Sequence, residues 1–294
     1  MKSLKYLIGL LFIGIIACKT SKTAPNQTQL DKSLLWKIEG NDIQPSYIFG
    51  TIHLIPEDKF FTTDATKTAF DKTEQLVLEL DMDNPNMQME LLKHSMLEDG
   101  KNLKNMLSQE DYTKIDTALK EGSGYSLDLF ASMKPLILNS LLLTSMTEGK
   151  TVSYEEYFMK LAKEKEVEVL GMETVLEQVS VFDRVPYEDQ LSDIISLIDE
   201  KEKNQNMYNE MVDLFLTQDI EKLYTYTKEQ SKESKAIDDQ ELLVNRNKNW
   251  IPKIGEFAKD KPTFFAVGAA HLGGQNGVLN LLRASGYQVT PIVK

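Results

Sequence analysis

The stretch "SYIFGTIHLIP", residues 46–56, ends an apolar run at Gly50 and sets His53 three residues later. Tyr47, Ile48 and Phe49 have the aromatic and β-branched character of a buried strand. The same layout returns near the other end of the chain as "FFAVGAAHLGG", residues 264–274, with Gly268 followed by His271. Each copy has an apolar strand, a glycine, two small or β-branched residues, a histidine and then a turn toward a helix. The chain holds three histidines, so two of the three share one local frame. In open α/β sheets, ligands bind at the carboxyl ends of strands. Two such histidines on neighbouring strands would face each other across that edge, with the glycine allowing a tight bend or a close backbone approach.

Further strands read outward from these two. "LLWKIEG" turns at Asn41-Asp42 into the first histidine strand. "QLVLELDM" is a short continuous apolar run, as expected of a central buried strand. "VEVLGMET" and "YQVTPIV" complete the set. Helices fill the middle of the chain. One runs from about Thr63 to Thr73 with Ala65, Ala69 and Phe70 inward. "SQEDYTKIDTALKEG" has a serine start and a glycine stop. "SLDLFASMKPLILNSLLLTSM" is apolar nearly all round, which predicts a buried helix bent or started at Pro135. Ser153-x-x-Glu156 reads as a capping box. Long helices are expected from Tyr187 through Gln205 toward Leu216, from Asp219 to Lys232, and from Gln240 to Lys259 with a break near Pro252. The predicted fold is α/β, with some α+β character. A central mixed sheet is built from N- and C-terminal strands, flanked by helices, with a large helical insertion. No linker is evident after residue 33, and no repeat period marks a solenoid or propeller.

The chain has 294 residues and 41% apolar content, enough for a sizeable core. Lys plus Arg number 33 against 45 Asp plus Glu, a formal net charge of −12. That balance argues against nucleic acid as a partner, which needs a basic footprint. With one cysteine, Cys18, no intrachain disulfide forms. Lys2 and Lys5 precede an apolar run, Leu7 to Ala17, too short to span a bilayer as a helix. A basic start and a short apolar stretch read as an export signal. Ile15-Ile16-Ala17-Cys18 resembles the lipobox of bacterial lipoproteins. That resemblance implies a signal peptide over 1–17, lipidation of Cys18, and a lipid-anchored flexible tether over 18–33. The expected location is then the cell envelope, on a membrane.

A third group joins the two histidines. Glu79 lies inside "LVLELDM", where a buried carboxylate is costly unless paired or bound to a metal. Two imidazoles, His53 and His271, with one carboxylate, Glu79, make a divalent-metal set suited to Zn, Mn, Co or Fe. Such a site activates water and polarises a carbonyl, which is hydrolytic chemistry. A pair of structural histidines remains the alternative. Whether Glu79 coordinates or acts as general base stays open. Glu173, just past a strand end, reads as a further ligand, a base or a helix cap. Arg246 in "LLVNRNKNW" would clamp a carboxylate, stabilise an oxyanion, or sit on a helix surface. His94 reads as a surface residue. "GGQNG" at 273–277 lacks a full phosphate-loop pattern, and Ser123 has no nucleophile-elbow motif.

Together "YIFGTIHLIP", "LVLELDM", "VLGMETVLEQ", "RNKNW" and "FFAVGAAHLGGQNGVLNLLRASGYQVTPI" resemble the TraB/GumN family, which includes the Tiki-like proteases. The resemblance covers residues 34–294 as one domain. It implies an α/β core with two G-x-x-H motifs and an acid near the first. It also implies a metal-dependent protease with Mn or Co favoured. The implied residues are His53, Glu79 and His271, supported by Arg246 and Glu173. The wider clan also resembles erythromycin esterases and a haem-binding lipoprotein. The expectation is an envelope-anchored metal-dependent hydrolase acting on a peptide or protein. The rival is an envelope protein that binds haem, a metal or a signal peptide without turnover.

Overall fold

The computed structural model describes residues 30–147, 149–232, 234 and 239–293. The signal-peptide reading, Cys18 and the first part of the tether lie outside the described residues. In chain order the first elements are β1 (Leu35–Glu39), β2 (Ser46–Thr51), β3 (Ile55–Pro56), α1 (Asp64–Asp71), β4 (Gln75–Leu80) and α2 (Met87–His94). Then come α3 (Gln109–Ser123), α4 (Pro135–Met146), β5 (Thr151–Val152), α5 (Tyr154–Lys165), β6 (Glu168–Glu173) and α6 (Val175–Ser180). The chain continues through α7 (Tyr187–Asp199), α8 (Lys201–Leu216), α9 (Ile220–Ser231) and α10 (Arg246–Asp260). It closes with β7 (Thr263–Gly268), α11 (Val278–Ala284) and β8 (Gln288–Pro291). No described helix is long and apolar enough to cross a membrane.

The result is an α/β fold around one mixed six-stranded sheet in the order β6-β4-β7-β2-β1-β8. β6, β4, β7 and β2 run parallel, while β1 pairs antiparallel with both β2 and β8. β7 slots between β4 and β2, although β2 and β4 are nearly consecutive in the chain. The two histidine strands are therefore direct neighbours, with Gly50 opposite Val267 and Thr51 opposite Gly268. Leu76, Val77 and Leu78 of β4 are buried on both sides, as a helix-covered parallel strand requires. One face packs an aromatic cluster in which Phe158 of α5 lies 4.8 Å from Phe264 of β7 and 6.1 Å from Phe70 of α1, ring centre to ring centre. A second apolar cluster gathers α3, α4, α6 and α7 around Leu80 at the end of β4. The helical insertion thus sits beside the carboxyl ends of β4 and β6.

Local signals give most element ends. Thr63 caps α1, and Ser108 caps α3, but α3 runs through Gly122 and stops at the left-handed Gly124 instead. α4 starts at Pro135, where the missing N–H costs nothing. Three further expectations are corrected. The Ser153 hydroxyl caps α5 through the Glu155 and Glu156 amides, yet its side chain bonds Glu155, so no reciprocal box with Glu156 forms. The reciprocal box is Thr174 with Glu177 at α6. The long helix after Tyr187 divides at Glu200 into α7 and α8. Pro252 is accommodated inside α10; the irregularity lies before it, where Gln240–Asn245 forms a π-helical turn. The two-residue pair β3–β5 has no sequence signature.

Candidate active site at the carboxyl edge of the sheet

Four parallel strands end along one edge, and each delivers a charged or ionisable side chain there. His53 follows β2, His271 follows β7, Glu79 is the last but one residue of β4, and Glu173 ends β6. The π-helical turn before α10 widens the backbone at the point where Arg246 enters, a form common at functional sites. All five residues that the sequence singled out for chemistry are brought together. Their side chains are 27% exposed for His53, 12% for Glu79, 10% for Arg246, 7% for Glu173 and 3% for His271. The site therefore opens on the His53 side.

Arg246 is a buried clamp, not a surface cation. Its Nε donates to both Glu173 oxygens at 3.1 and 3.0 Å, and Nη2 donates to Glu173 at 2.7 Å and to Glu79 Oε2 at 2.6 Å. Nη1 donates to the Leu242 carbonyl at 3.1 Å and to His271 Nε2 at 3.2 Å. Glu173 is thus the counter-ion that holds the guanidinium. Glu79 is further fixed by the Gly268 amide, which donates to Oε1 at 2.8 Å, and by Gln178 Nε2, 3.3 Å from Oε2. Burial works against its charge, but Arg246 and then the histidines hold the carboxyl well below the usual range. It is an anion, poised to accept.

Each imidazole is tied at Nδ1. His53 Nδ1 lies 2.9 Å from Glu155 Oε1. Thr51 donates its hydroxyl to that same oxygen at 2.6 Å, and Ser153 donates to Oε2 at 2.7 Å. Burial would depress the His53 pKa, but the Glu155 carboxylate outweighs it and raises it to about 8. His271 Nδ1 lies 2.6 Å from Asn247 Oδ1. The amide orientation follows from its other end, where Nδ2 donates to the His271 carbonyl at 3.3 Å and the Asn276 carbonyl at 2.9 Å. Burial lowers the His271 pKa to about 3, and Arg246 assists against the pull of Glu79. His271 is neutral, with its ring 4.3 Å from the Trp250 ring, centre to centre.

The two motif glycines do different things, and neither has a positive φ. A Cβ on Gly50 would meet Leu272 Cδ1 at 2.9 Å and Ala269 Cβ at 3.0 Å, so Gly50 lets the His271 turn pack against β2. A Cβ on Gly268 would enter a hollow bounded by Glu79 Oε1 at 3.3 Å, His271 Cδ2 at 3.6 Å and His53 Nε2 at 3.7 Å. The side chains that form the expected metal set converge on that hollow. Two imidazoles with Nδ1 tied and one carboxylate are donors suited to a divalent cation, and the carboxylates Glu79, Glu173 and Glu155 outweigh Arg246 in charge. The residue types suit such a cation. Among the described residues, no group of three or more His, Cys, Asp or Glu adopts metal-holding spacing. Arg246 bonds two of the three donors directly.

Glu155 and Asn247 lack a sequence signal of their own. Glu155 is one of two acids at a helix start, where the dipole alone accounts for it; Asn247 is notable only as the neighbour of Arg246. Gln178 has no signal at all. The "GGQNG" loop binds the chain's own carboxylate, since the Gly274 amide donates to Glu221 at 3.2 Å. His94 is half-buried at the end of α2, and Ser123 donates to the Leu119 carbonyl; neither joins the site.

The TraB/PrgY/gumN family profile matches residues 34–291. The chain is 27% identical to Metalloprotease TIKI1 of Xenopus tropicalis, over 92% of this chain and 63% of that protein. It is 24% identical to Metalloprotease TIKI2 of Danio rerio, over 87% of this chain and 60% of the relative. Against Metalloprotease TIKI1 of Homo sapiens the figures are 26%, 90% and 63%. The chain therefore spans about three-fifths of the length of these relatives. No solved structure gives a significant match.

Proposed function

The chain belongs to the TraB/PrgY/gumN family, and from that premise we propose that it is a metal-dependent peptidase acting through His53, His271 and Glu79. The observation that carries the reading is the convergence of these three side chains on the hollow at Gly268. The names of its relatives, all metalloproteases, support the same reaction class.

In this reading His53, His271 and Glu79 would hold a divalent cation once Arg246 Nη1 releases His271 Nε2, with Mn or Co favoured by the family resemblance and Zn allowed by the donors. When bound, the cation supplies Lewis acidity and lowers the pKa of a water. The chain's own groups do the rest. Arg246 compensates Glu79 and keeps it ionised. Glu173 keeps Arg246 in place, and with its N–H groups committed to Glu173, Glu79, His271 and the Leu242 carbonyl the guanidinium acts by its charge and by fixing Glu79. Gln178 and the Gly268 amide fix the rotamer of Glu79. Peptide enters from the His53 side, where the site is most exposed. The reading further includes export and lipid anchoring through Cys18 in the cell envelope; the sequence of residues 1–18 supports that part.

The test is metal content and peptide cleavage for protein purified without chelator and supplied with Mn, Co or Zn, against the double variant His53→Ala/His271→Ala. Wild type should bind about one cation per site and cleave peptide, while the variant stays folded and does neither. A wild type that binds no cation, or a double variant that cleaves as well as wild type, overturns the reading.

A further inference from the structure

Both histidines are tied at the same ring nitrogen, by two unrelated side chains from two different helices. Glu155 lies in the first turn of α5 and Asn247 in the first turn of α10. Glu155 is itself fully engaged: one oxygen takes Thr51 and His53, the other takes Ser153. Asn247 is locked by two carbonyls, so its Oδ1 can only accept. In the neutral rings each acceptor therefore requires the proton on Nδ1 and leaves the electron pair on Nε2. For His271 the donation from Arg246 Nη1 to Nε2 independently demands that same tautomer. For His53, Nε2 is the ring nitrogen that faces the hollow at Gly268. The His271 ring meets that hollow at Cδ2 while its Nε2 accepts from Arg246; a purely structural histidine pair has no need of matched tautomers at one shared hollow.

We propose that Glu155 and Asn247 are positioning residues that fix His53 and His271 as Nδ1–H tautomers, so that the Nε2 electron pair of His53 faces the Gly268 hollow and that of His271 stays on the Arg246 side of it. The proposal rests on the metallopeptidase reading for what that site holds, but the tautomers themselves are a property of the metal-free protein. The two positioning groups differ in kind. Asn247 is neutral and serves the more deeply buried ring. Glu155 is an anion and serves the more exposed ring, where it adds basicity as well as direction.

Two readouts separate this from a role in folding alone. The first is the tautomeric state of each histidine in metal-free protein, read from long-range nitrogen–proton correlation spectra at pH 9.5, where both rings are neutral. The second is the affinity for Mn and Co, read by calorimetry. Wild type should show Nδ1–H on both rings. Glu155→Ala should convert His53 to a tautomer mixture, leave His271 unchanged, and weaken cation binding by roughly 10- to 100-fold. Glu155→Gln retains an acceptor, so it should restore the tautomer and regain part of the affinity. Asn247→Ala should leave His271 as Nδ1–H, because Arg246 still donates to Nε2, but free the ring to turn and so weaken cation binding by roughly 10- to 100-fold. Should Glu155→Ala not fold, Thr51→Val/Ser153→Ala removes both hydroxyls that orient Glu155, and it should shift the His53 tautomer in the same direction. Nε2–H on either ring in wild type overturns the proposal, as does an unchanged His53 tautomer in Glu155→Ala or an unchanged cation affinity in Asn247→Ala. Nδ1–H on both rings without cation binding would instead sink the metallopeptidase reading while upholding the positioning roles.

Discussion

Gly268→Ala separates the site from the fold more cleanly than any ligand substitution. Gly268 has φ −51° and ψ 132°, open to any residue, so alanine adds no backbone strain. Its methyl group would stand 3.3 Å from Glu79 Oε1, 3.6 Å from His271 Cδ2 and 3.7 Å from His53 Nε2. Only the first contact is tight, and it falls on a side-chain oxygen. Replacing glycine where the backbone is compatible stabilises by about 0.4–1 kcal/mol through the unfolded chain. The close contact with a buried carboxylate offsets part of that. The net change should stay within about 1 kcal/mol, a shift of only a few degrees in Tm. Cation binding should respond quite differently, because the methyl fills the space the three side chains share. Displacing their donor atoms by a fraction of an ångström to 1 Å should lower affinity and peptidase activity by about 100-fold. Thermal unfolding and calorimetry with Mn or Co, on the same preparation, check both halves. Unchanged affinity at unchanged Tm would refute the convergence on Gly268 as the basis of the site. A loss of affinity accompanied by a collapse in Tm would show that the glycine serves packing instead.

Gly50→Ala should show the opposite behaviour. Its Cβ would press on Leu272 Cδ1 and Ala269, and overpacking of this kind costs about 1–3 kcal/mol in urea denaturation. Arg246→Met strands the Glu79 and Glu173 carboxylates without their buried partner, so it should destabilise by about 3–5 kcal/mol. Arg246→Lys should recover little of that, since one ammonium cannot reproduce the fork across two carboxylates; full recovery in urea denaturation would count against the clamp. Thr174→Ala removes the hydroxyl half of the α6 capping box and leaves the residue 174 amide on Glu177, and should cost about 1 kcal/mol, with a fall in cation affinity only if α6 also steadies Glu79 through Gln178.

The sequence by itself determined the elements and the two histidine frames. β1, β2, β4, β6, β7 and β8 are legible because alternation, apolar runs and turn residues act over a few positions. The same holds for Thr63, Ser108 and Pro135, whose effects on helix starts are local. His53, His271 and Glu79 stand out because ionisable groups at the ends of apolar strands conflict with their surroundings. Tertiary structure alone decided which of them meet. It inserted β7 between β4 and β2, making the two frames adjacent, and it brought Arg246 to Glu79 across 167 positions of chain. It also chose Glu155, 102 positions from His53, over its neighbour Glu156. Which acid of that pair turns inward depends on how α5 packs against the sheet. The physical reason is one of range: periodicity and capping are set by bonds between near neighbours. The partner of a buried charge is set by which surfaces the whole core brings into contact.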